Sequence, residues 1–299
     1  MFQEQDEILM EKFEGWLVNK QLSSSTIVNY LADLRTFLRW GEAETGLDFS
    51  LTGVNQKQIR LYRDHLTQQL QRASSTVNRH LMALRKFFAF AQLTGVTPVN
   101  PTNGVALVQQ NGQAISRPLS NDEITKMLKA AGTGSRAGLI KRDIAILQLM
   151  LHTGLRVGEI VELRQEDMVF DHPGLRLRVR NGQENKTRYL PLCNEACKAL
   201  NAYLDMRPQS PTTDHFFLSQ QGHPVSERTV QRIVSDSARL AGLEGVSAQS
   251  LRRTFALKLL DQTNNLELVS ERLGHQNSAI TAQYLAVHEI DHANKKIEG

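Results

Sequence analysis

Apolar residues recur at helical spacing through the first third of the chain. Ile8, Leu9, Phe13, Trp16 and Leu17 line one face of a first helix. The stretch LSSSTIVNYLADLRTFLRWGEAETG then predicts a second, with serines 23–25 as N-cap candidates and Gly46 as its stop. A third helix is expected at about 55–70 and a fourth at about 74–94, serine-led and glycine-ended like the second. No period-two stretch interrupts them, so residues 1–97 read as a helical bundle. From Gly95 to Pro118 the periodicity fails in a segment carrying Pro98, Pro101 and Pro118. Residues 98–117 therefore read as an interdomain linker.

A second domain, 118–299, opens at SNDEITKMLKAA, where Ser120 and Glu123 have capping-box spacing. A helix at about 137–152 leads through the turn of LHTGLR into another. GLRLRVRNGQENKTRYLPL alternates polar and apolar positions around NGQEN and predicts a β-hairpin. Further helices are expected at about 194–206, 226–241, 248–263, 266–273 and 278–286. The fold class is mainly α with a small antiparallel sheet: an N-terminal helical bundle followed by a mixed α/β domain. There is no βαβ rhythm, and GTGSRAG at 132–138 lacks the glycine spacing of a nucleotide-phosphate loop.

Composition changes this picture in few places. No apolar run approaches the length of a membrane helix, and the acidic, amphipathic N-terminus is not a secretory or transit signal, so a cytoplasmic protein is expected. Cys193 and Cys197 are too few for a metal site and read as idle thiols. The net charge is only +4, but its distribution is uneven. From His65 to Asn121 there is no Asp or Glu, whereas Arg72, Arg79, Arg85, Lys86 and Arg117 fall in that span. A surface cleared of negative charge suits a polyanion; a neutral, Gln/Asn-rich helix and linker is the plainer alternative.

The second domain carries residues suited to phosphodiester chemistry. Arg156 opens a helix after a turn, and Arg252 sits early in the helix SLRRTFALKLL. Helix N-termini favour anions, and a guanidinium fork matches phosphate oxygens. Two such forks would balance the charge that grows on phosphorus during attack. His275 could donate another hydrogen bond, and the Tyr284 hydroxyl could form a covalent phosphate ester. Taken singly, each residue also fits a solvated, capping or packing role.

Together, TGLRVGEIVELR at 153–164, TRYLPL at 187–192, SLRRTFA at 250–256, LGH at 273–275 and the ITAQYL segment resemble the tyrosine recombinase family: integrases and Xer-like or transposon-encoded resolvases. Their order and spacing match across the whole second domain, and the first domain resembles the family's core-binding bundle. The resemblance implies a clamp of two domains around double-stranded DNA. Tyr284 would attack the scissile phosphate and form a 3′-phosphotyrosyl link, releasing a 5′-hydroxyl. Arg156 and Arg252 would hold the non-bridging oxygens, with His275 supporting and Glu159 bracing the site. No cofactor or metal is implied. Four protomers would exchange strands through a Holliday junction, with the segment after Tyr284 as a candidate contact between protomers.

The family's usual histidine three residues before its second arginine is Gln249 here, which can bind a phosphate oxygen but cannot exchange a proton near neutrality. The usual hairpin lysine position falls on Gln183, which leaves Lys186 as the candidate donor to the leaving 5′-oxygen. In the first domain, Thr26, Thr76, Arg79 and Arg85, on the serine-led second and fourth helices, are candidate DNA contacts. HEIDH at 288–292 matches a zinc-protease pattern but lacks a third ligand after it. The alternatives are a type IB topoisomerase-like enzyme and a DNA-binding protein that has lost cleavage. Target sequence, direction of reaction and accessory proteins are not legible.

Overall fold

A computed structural model describes residues 4–46, 49–109, 116–133, 139–171, 174–180, 187–207, 213–275, 277–282, 284 and 285. The chain divides into two compact units, residues 1–113 and 114–299.

The first unit is built from α1 (Glu4–Asn19), α2 (Ser24–Thr45), α3 (Gln56–Asp64) and α4 (Ser74–Leu93). Ser23 caps α2 by accepting the Thr26 amide, and Asn55 caps α3 in a reciprocal box with Gln58. The buried faces meet in an aromatic core: Phe13 packs edge-on to Phe87, and Phe37 edge-on to Tyr62. Gly41 is required by this packing, because a Cβ there would lie 2.1 Å from the Phe49 ring. The third helix is not one α-helix to residue 70. It passes at His65–Gln69 into a wider π turn, closed by the Leu70 amide on the His65 carbonyl. The Thr67 hydroxyl bonds back to the Arg63 carbonyl there, a contact that bends helices.

The first part of the segment expected to link the domains lies on this unit, and the division between the units falls within that segment. Val105 is buried in its core and Val108 packs against it. Asn78 holds Val108 from both sides, its amide donating to the carbonyl and its oxygen accepting the N–H, each at 2.9 Å. The proline-rich segment lacks helical period yet finds partners for its backbone polar groups.

The second unit contains α5 (Asn121–Ala131), α6 (Ile140–Thr153), α7 (Val157–Glu162), β1 (Met168–Asp171), β2 (Gly174–Arg180), β3 (Thr187–Pro191), α8 (Asn194–Leu204), α9 (Glu227–Leu240), α10 (Ala248–Thr263) and α11 (Leu266–Leu273). Residues 278–282 are also helical. The predicted hairpin is β2–β3, and β1, too short to show a period, adds a third antiparallel strand in the order β1-β2-β3. The register pairs Leu177 with Leu190 and Val179 with Arg188, so Arg188 shares the core-facing side of the sheet with three buried aliphatic residues. The main core gathers Ile146, Leu149 and Met150 of α6 with Leu177, Val179, Leu190, Phe217 and Leu251.

Candidate active site

The site forms where three segments of the second unit converge. α6 ends at Gly154, whose φ of +64° is the left-handed cap conformation. A Cβ here would come within 2.4 Å of Phe255 and 3.0 Å of Leu273, so the tight turn is also a packing requirement. The turn sets Arg156 at the N-cap of α7. There its backbone N–H donates to Glu159 Oε2 at 2.7 Å and its guanidinium to Oε1 at 3.2 Å.

α10 brings Arg252 and Arg253, each only 4% exposed. The third segment is the C-terminus of α11. The last carbonyls of a helix have no intrahelical donor and lie at its negative end, which favours cations. Three successive carbonyls here each receive a different arginine. Arg272 O accepts Arg188 Nε at 3.1 Å, Leu273 O accepts Arg252 Nη2 at 2.8 Å, and Gly274 O accepts Arg156 Nη2 at 3.3 Å. Arg252 is further fixed by the Gly154 carbonyl at 2.5 Å. One helix end thus gathers guanidinium groups from β3, α7 and α10.

Glu159 is the carboxylate at the centre of the cluster. Besides Arg156 it binds Arg188 in a two-pronged pair, Nη1–Oε1 at 2.8 Å and Nη2–Oε2 at 3.0 Å. Burial alone would raise its pKa, but the bonds and charge of Arg188, with the Arg156 amide, outweigh it and hold Glu159 below the usual carboxylate value. Burial, then repulsion from Arg156, draws Arg252 down to about 10, still fully charged near neutrality.

His275 follows the left-handed Gly274. Its Nε2 lies 3.1 Å from Arg252 Nη2, and its Nδ1 lies 2.8 Å from the Thr281 hydroxyl. Arginine can only donate, so Nε2 accepts and the proton sits on Nδ1, donated to Thr281. Burial and then the charges of Arg252, Arg156 and Arg188 lower His275 to about 4. As it stands the imidazole is neutral and accepts at Nε2. Donation to a phosphate needs the other tautomer, which the Thr281 hydroxyl can serve by reversing its own role.

Tyr284 lies edge-on to His275, ring centroids 5.9 Å apart, and beneath the Arg253 guanidinium, 5.6 Å from the ring centre. Its hydroxyl donates to the Gln249 carbonyl at 3.4 Å. Burial raises its pKa, while Arg252, Arg253 and Arg156 pull it back.

The structure thus brings Arg156, Glu159, Arg252, His275 and Tyr284 together. Gln249 adjoins them through its backbone, with an exposed side chain. Lys186 and Gln183, the segment after Leu285 and HEIDH lie outside the described residues. In the first unit, Arg79 is tied to the buried Asp33 at 2.7 Å and Arg85 donates to the Val105 carbonyl at 2.6 Å. Both arginines are thus engaged in the fold itself. Thr26 and Thr76 are half-buried at the starts of α2 and α4, with the Thr26 hydroxyl bound to Ser23. Sequence reading overlooked Arg188 and Thr281. A signal for Arg188 was present: a charged residue at an inward position of a strand must find a counter-ion.

Residues 117–290 match the phage integrase family, and residues 11–95 match the phage integrase N-terminal SAM-like domain. A tyrosine recombinase of Pseudothermotoga lettingae is 31% identical over 98% of this chain and 99% of its own. Among solved structures, the XerH site-specific recombinase in a post-cleavage complex with a palindromic difH substrate has a TM-score of 0.73 at 20% identity, covering 91% of this chain and 80% of that one. A lambda integrase tetramer bound to a Holliday junction has a TM-score of 0.71 at 19% identity, covering 93% and 76%. A tyrosine set against a cluster of arginines, on a chain matched by the family over both its units, establishes that this protein belongs to the phage integrase family, the tyrosine recombinases that cleave and rejoin DNA.

Proposed function

We propose that the protein is a site-specific recombinase acting on pairs of double-stranded DNA sites. The observation that carries this is the setting of Tyr284: a half-buried phenol beside His275 and within the field of Arg156, Arg252 and Arg253. The scissile phosphate binds against Arg156, whose guanidinium is exposed, and against Arg252 as its carbonyl contacts loosen. The Tyr284 oxygen attacks phosphorus, the bond to the 5′-oxygen breaks, and a 3′-phosphotyrosyl ester forms. The guanidinium groups balance the charge of the pentacoordinate state, which exceeds that of the bound diester. The 5′-hydroxyl of a second strand then attacks the ester and frees Tyr284. The ester conserves the energy of the broken bond, so rejoining needs no nucleotide cofactor. Lys186 supplies the proton to the leaving 5′-oxygen, and Gln249 binds phosphate without exchanging a proton.

The working assembly is a tetramer on two DNA sites, in keeping with the lambda integrase tetramer on a Holliday junction. The segment after Leu285 is the candidate contact between protomers. No helix among the described residues is long and apolar enough to cross a membrane, and the protein works in the cytoplasm. Residues 1–97 and 118–299 serve as the core-binding and catalytic domains.

The test is a supercoiled plasmid carrying two copies of the DNA sequence that the purified protein protects from nuclease. Recombination between the copies, with a Holliday junction as intermediate, is expected. Relaxation without exchange, equal on a plasmid lacking the sites, would show a topoisomerase instead. Protection with no strand breakage would show a binding protein.

A further inference from the structure

Arg253 breaks a rule that the other buried arginines obey. A buried charge is ordinarily paired, because leaving water uncompensated is costly. Arg207 has the His215 and Phe216 carbonyls, Arg252 has two helix-end carbonyls, and Arg142 has Asp143 and the Leu218 carbonyl. Arg253 is as buried as Arg252, at 4%, yet its Nε has no hydrogen-bond partner. Among the described residues no carboxylate lies within ion-pair reach of it; its one specific contact is the face of the Tyr284 ring. A fold selected for stability alone would place methionine or leucine here.

The Tyr284 hydroxyl presents the complementary puzzle. Among the described residues it meets only the Gln249 carbonyl, which cannot take a proton, and the Gln249 side chain cannot either. His275 Nε2 is occupied by Arg252. The charged groups facing Tyr284 are Arg252 and Arg253 from α10 and Arg156 from the start of α7. Arg156 and Arg252 are engaged with Glu159 or backbone oxygens, whereas Arg253 has a buried Nε without an acceptor and, among the described residues, no carboxylate partner.

We infer that Arg253 is a positioning residue for the cleavage step: its unpaired guanidinium, stacked on the Tyr284 ring, orients the nucleophile and favours its anionic form, so attack needs no side-chain base. A cation over an aromatic face is held by the ring's electron density. In a phenolate the negative charge spreads into the ring and strengthens that attraction, so Arg253 stabilises the attacking anion more than the resting phenol. The phenol proton leaves to solvent.

The inference rests on Tyr284 being the nucleophile, but its test needs no DNA, so the two can fail separately. The full chain has five tyrosines, Tyr30, Tyr62, Tyr189, Tyr203 and Tyr284. With 13C at the tyrosine Cζ, the Tyr284 resonance is assigned by its loss in Tyr284→Phe and followed by NMR from pH 7 to 11. In Arg253→Met its midpoint should rise by about one pH unit or more, a tenfold or greater loss of phenolate at fixed pH. In Arg253→Lys it should stay within about 0.3 unit. Arg253→Met should also melt no lower than the parent, since it removes an unpaired buried charge. An unmoved Tyr284 midpoint in a folded Arg253→Met protein would overturn the inference. So would a parent Tyr284 that does not titrate below pH 11, or loss of folding in both Arg253→Met and Arg253→Leu, which would make Arg253 a structural anchor.

Discussion

Replacing Arg188 tests whether Glu159 is held by the sheet or by the site. Arg188→Met keeps most of the side-chain volume but removes two charge-assisted bonds to Glu159, at 2.8 and 3.0 Å, and one to the Arg272 carbonyl. Both members of the pair are only 12% exposed, so water cannot replace what is lost. Removing one partner of a buried pair costs about 3–5 kcal/mol. Glu159 keeps its bonds from the Arg156 amide and guanidinium, which points to the lower end, about 3 kcal/mol. The measurement is a double-mutant cycle of Arg188→Met with Glu159→Gln by urea denaturation, followed by far-UV circular dichroism. Tryptophan fluorescence would miss the event, because Trp16 and Trp40 both belong to the first unit. The expected coupling is about 2 kcal/mol. The pH dependence follows with a definite sign. A depressed folded pKa means that Glu159 contributes stability in full above its ordinary value of 4.5, lost as pH falls through the folded value. Arg188→Met should therefore flatten the acid limb of the stability curve. A coupling below about 0.5 kcal/mol, the level of independent sites, would refute the assignment.

Other consequences are open to separate measurement. His275, lowered to about 4 by burial and the neighbouring arginines, should stay neutral in the free protein at pH 5–6. The stability tied to its neutral form is complete above pH 6.5 and lost as pH falls through 4, and an imidazole NMR titration with a midpoint near 6.5 would contradict this. Gly274→Ala should cost about 1–3 kcal/mol, because φ is +64° and the new Cβ would lie 2.8 Å from Arg188 Nη1. It should also slow cleavage by displacing Arg188 from Glu159, and parent-like single-turnover cleavage would count against that coupling. Arg79→Met strands the buried Asp33 carboxylate and should destabilise the first unit by about 1–3 kcal/mol, read by tryptophan fluorescence. If Arg79 also meets a DNA phosphate, the slope of log affinity against log salt should flatten by about one; a parent-like slope would confine Arg79 to the fold.

The helical frame was legible because nearly every helix carries its own signal. Ser23 and Ser120 accept the expected capping bonds, Asn55, Ser226 and Asn265 accept others of the same kind, and Gly154 and Gly274 end helices in the left-handed conformation. The site's principal residues were legible through family motifs rather than spacing, because Arg156, Arg252, His275 and Tyr284 meet only after long-range packing. Two features escaped for physical reasons. The fate of residues 98–109 depends on Asn78 and Arg85, some 20–30 positions away, which no local period reports. Arg188 and the carbonyls of Arg272, Leu273 and Gly274 form an arrangement of backbone oxygens, which side-chain patterns do not encode. Likewise the proton on His275 Nδ1 follows from an arginine donor that only the fold supplies.

Strand exchange by this protein depends on a covalent bond between the Tyr284 oxygen and DNA. The direct measurement uses a DNA substrate built from the sequence the protein protects, nicked beside the cleavage point so that the released fragment diffuses away and rejoining fails. The expected result is a trapped protein–DNA adduct whose digestion yields a peptide joined through Tyr284 to a 3′-phosphate, with no adduct from Tyr284→Phe. An adduct mapped to another residue, or one formed undiminished by Tyr284→Phe, would contradict it.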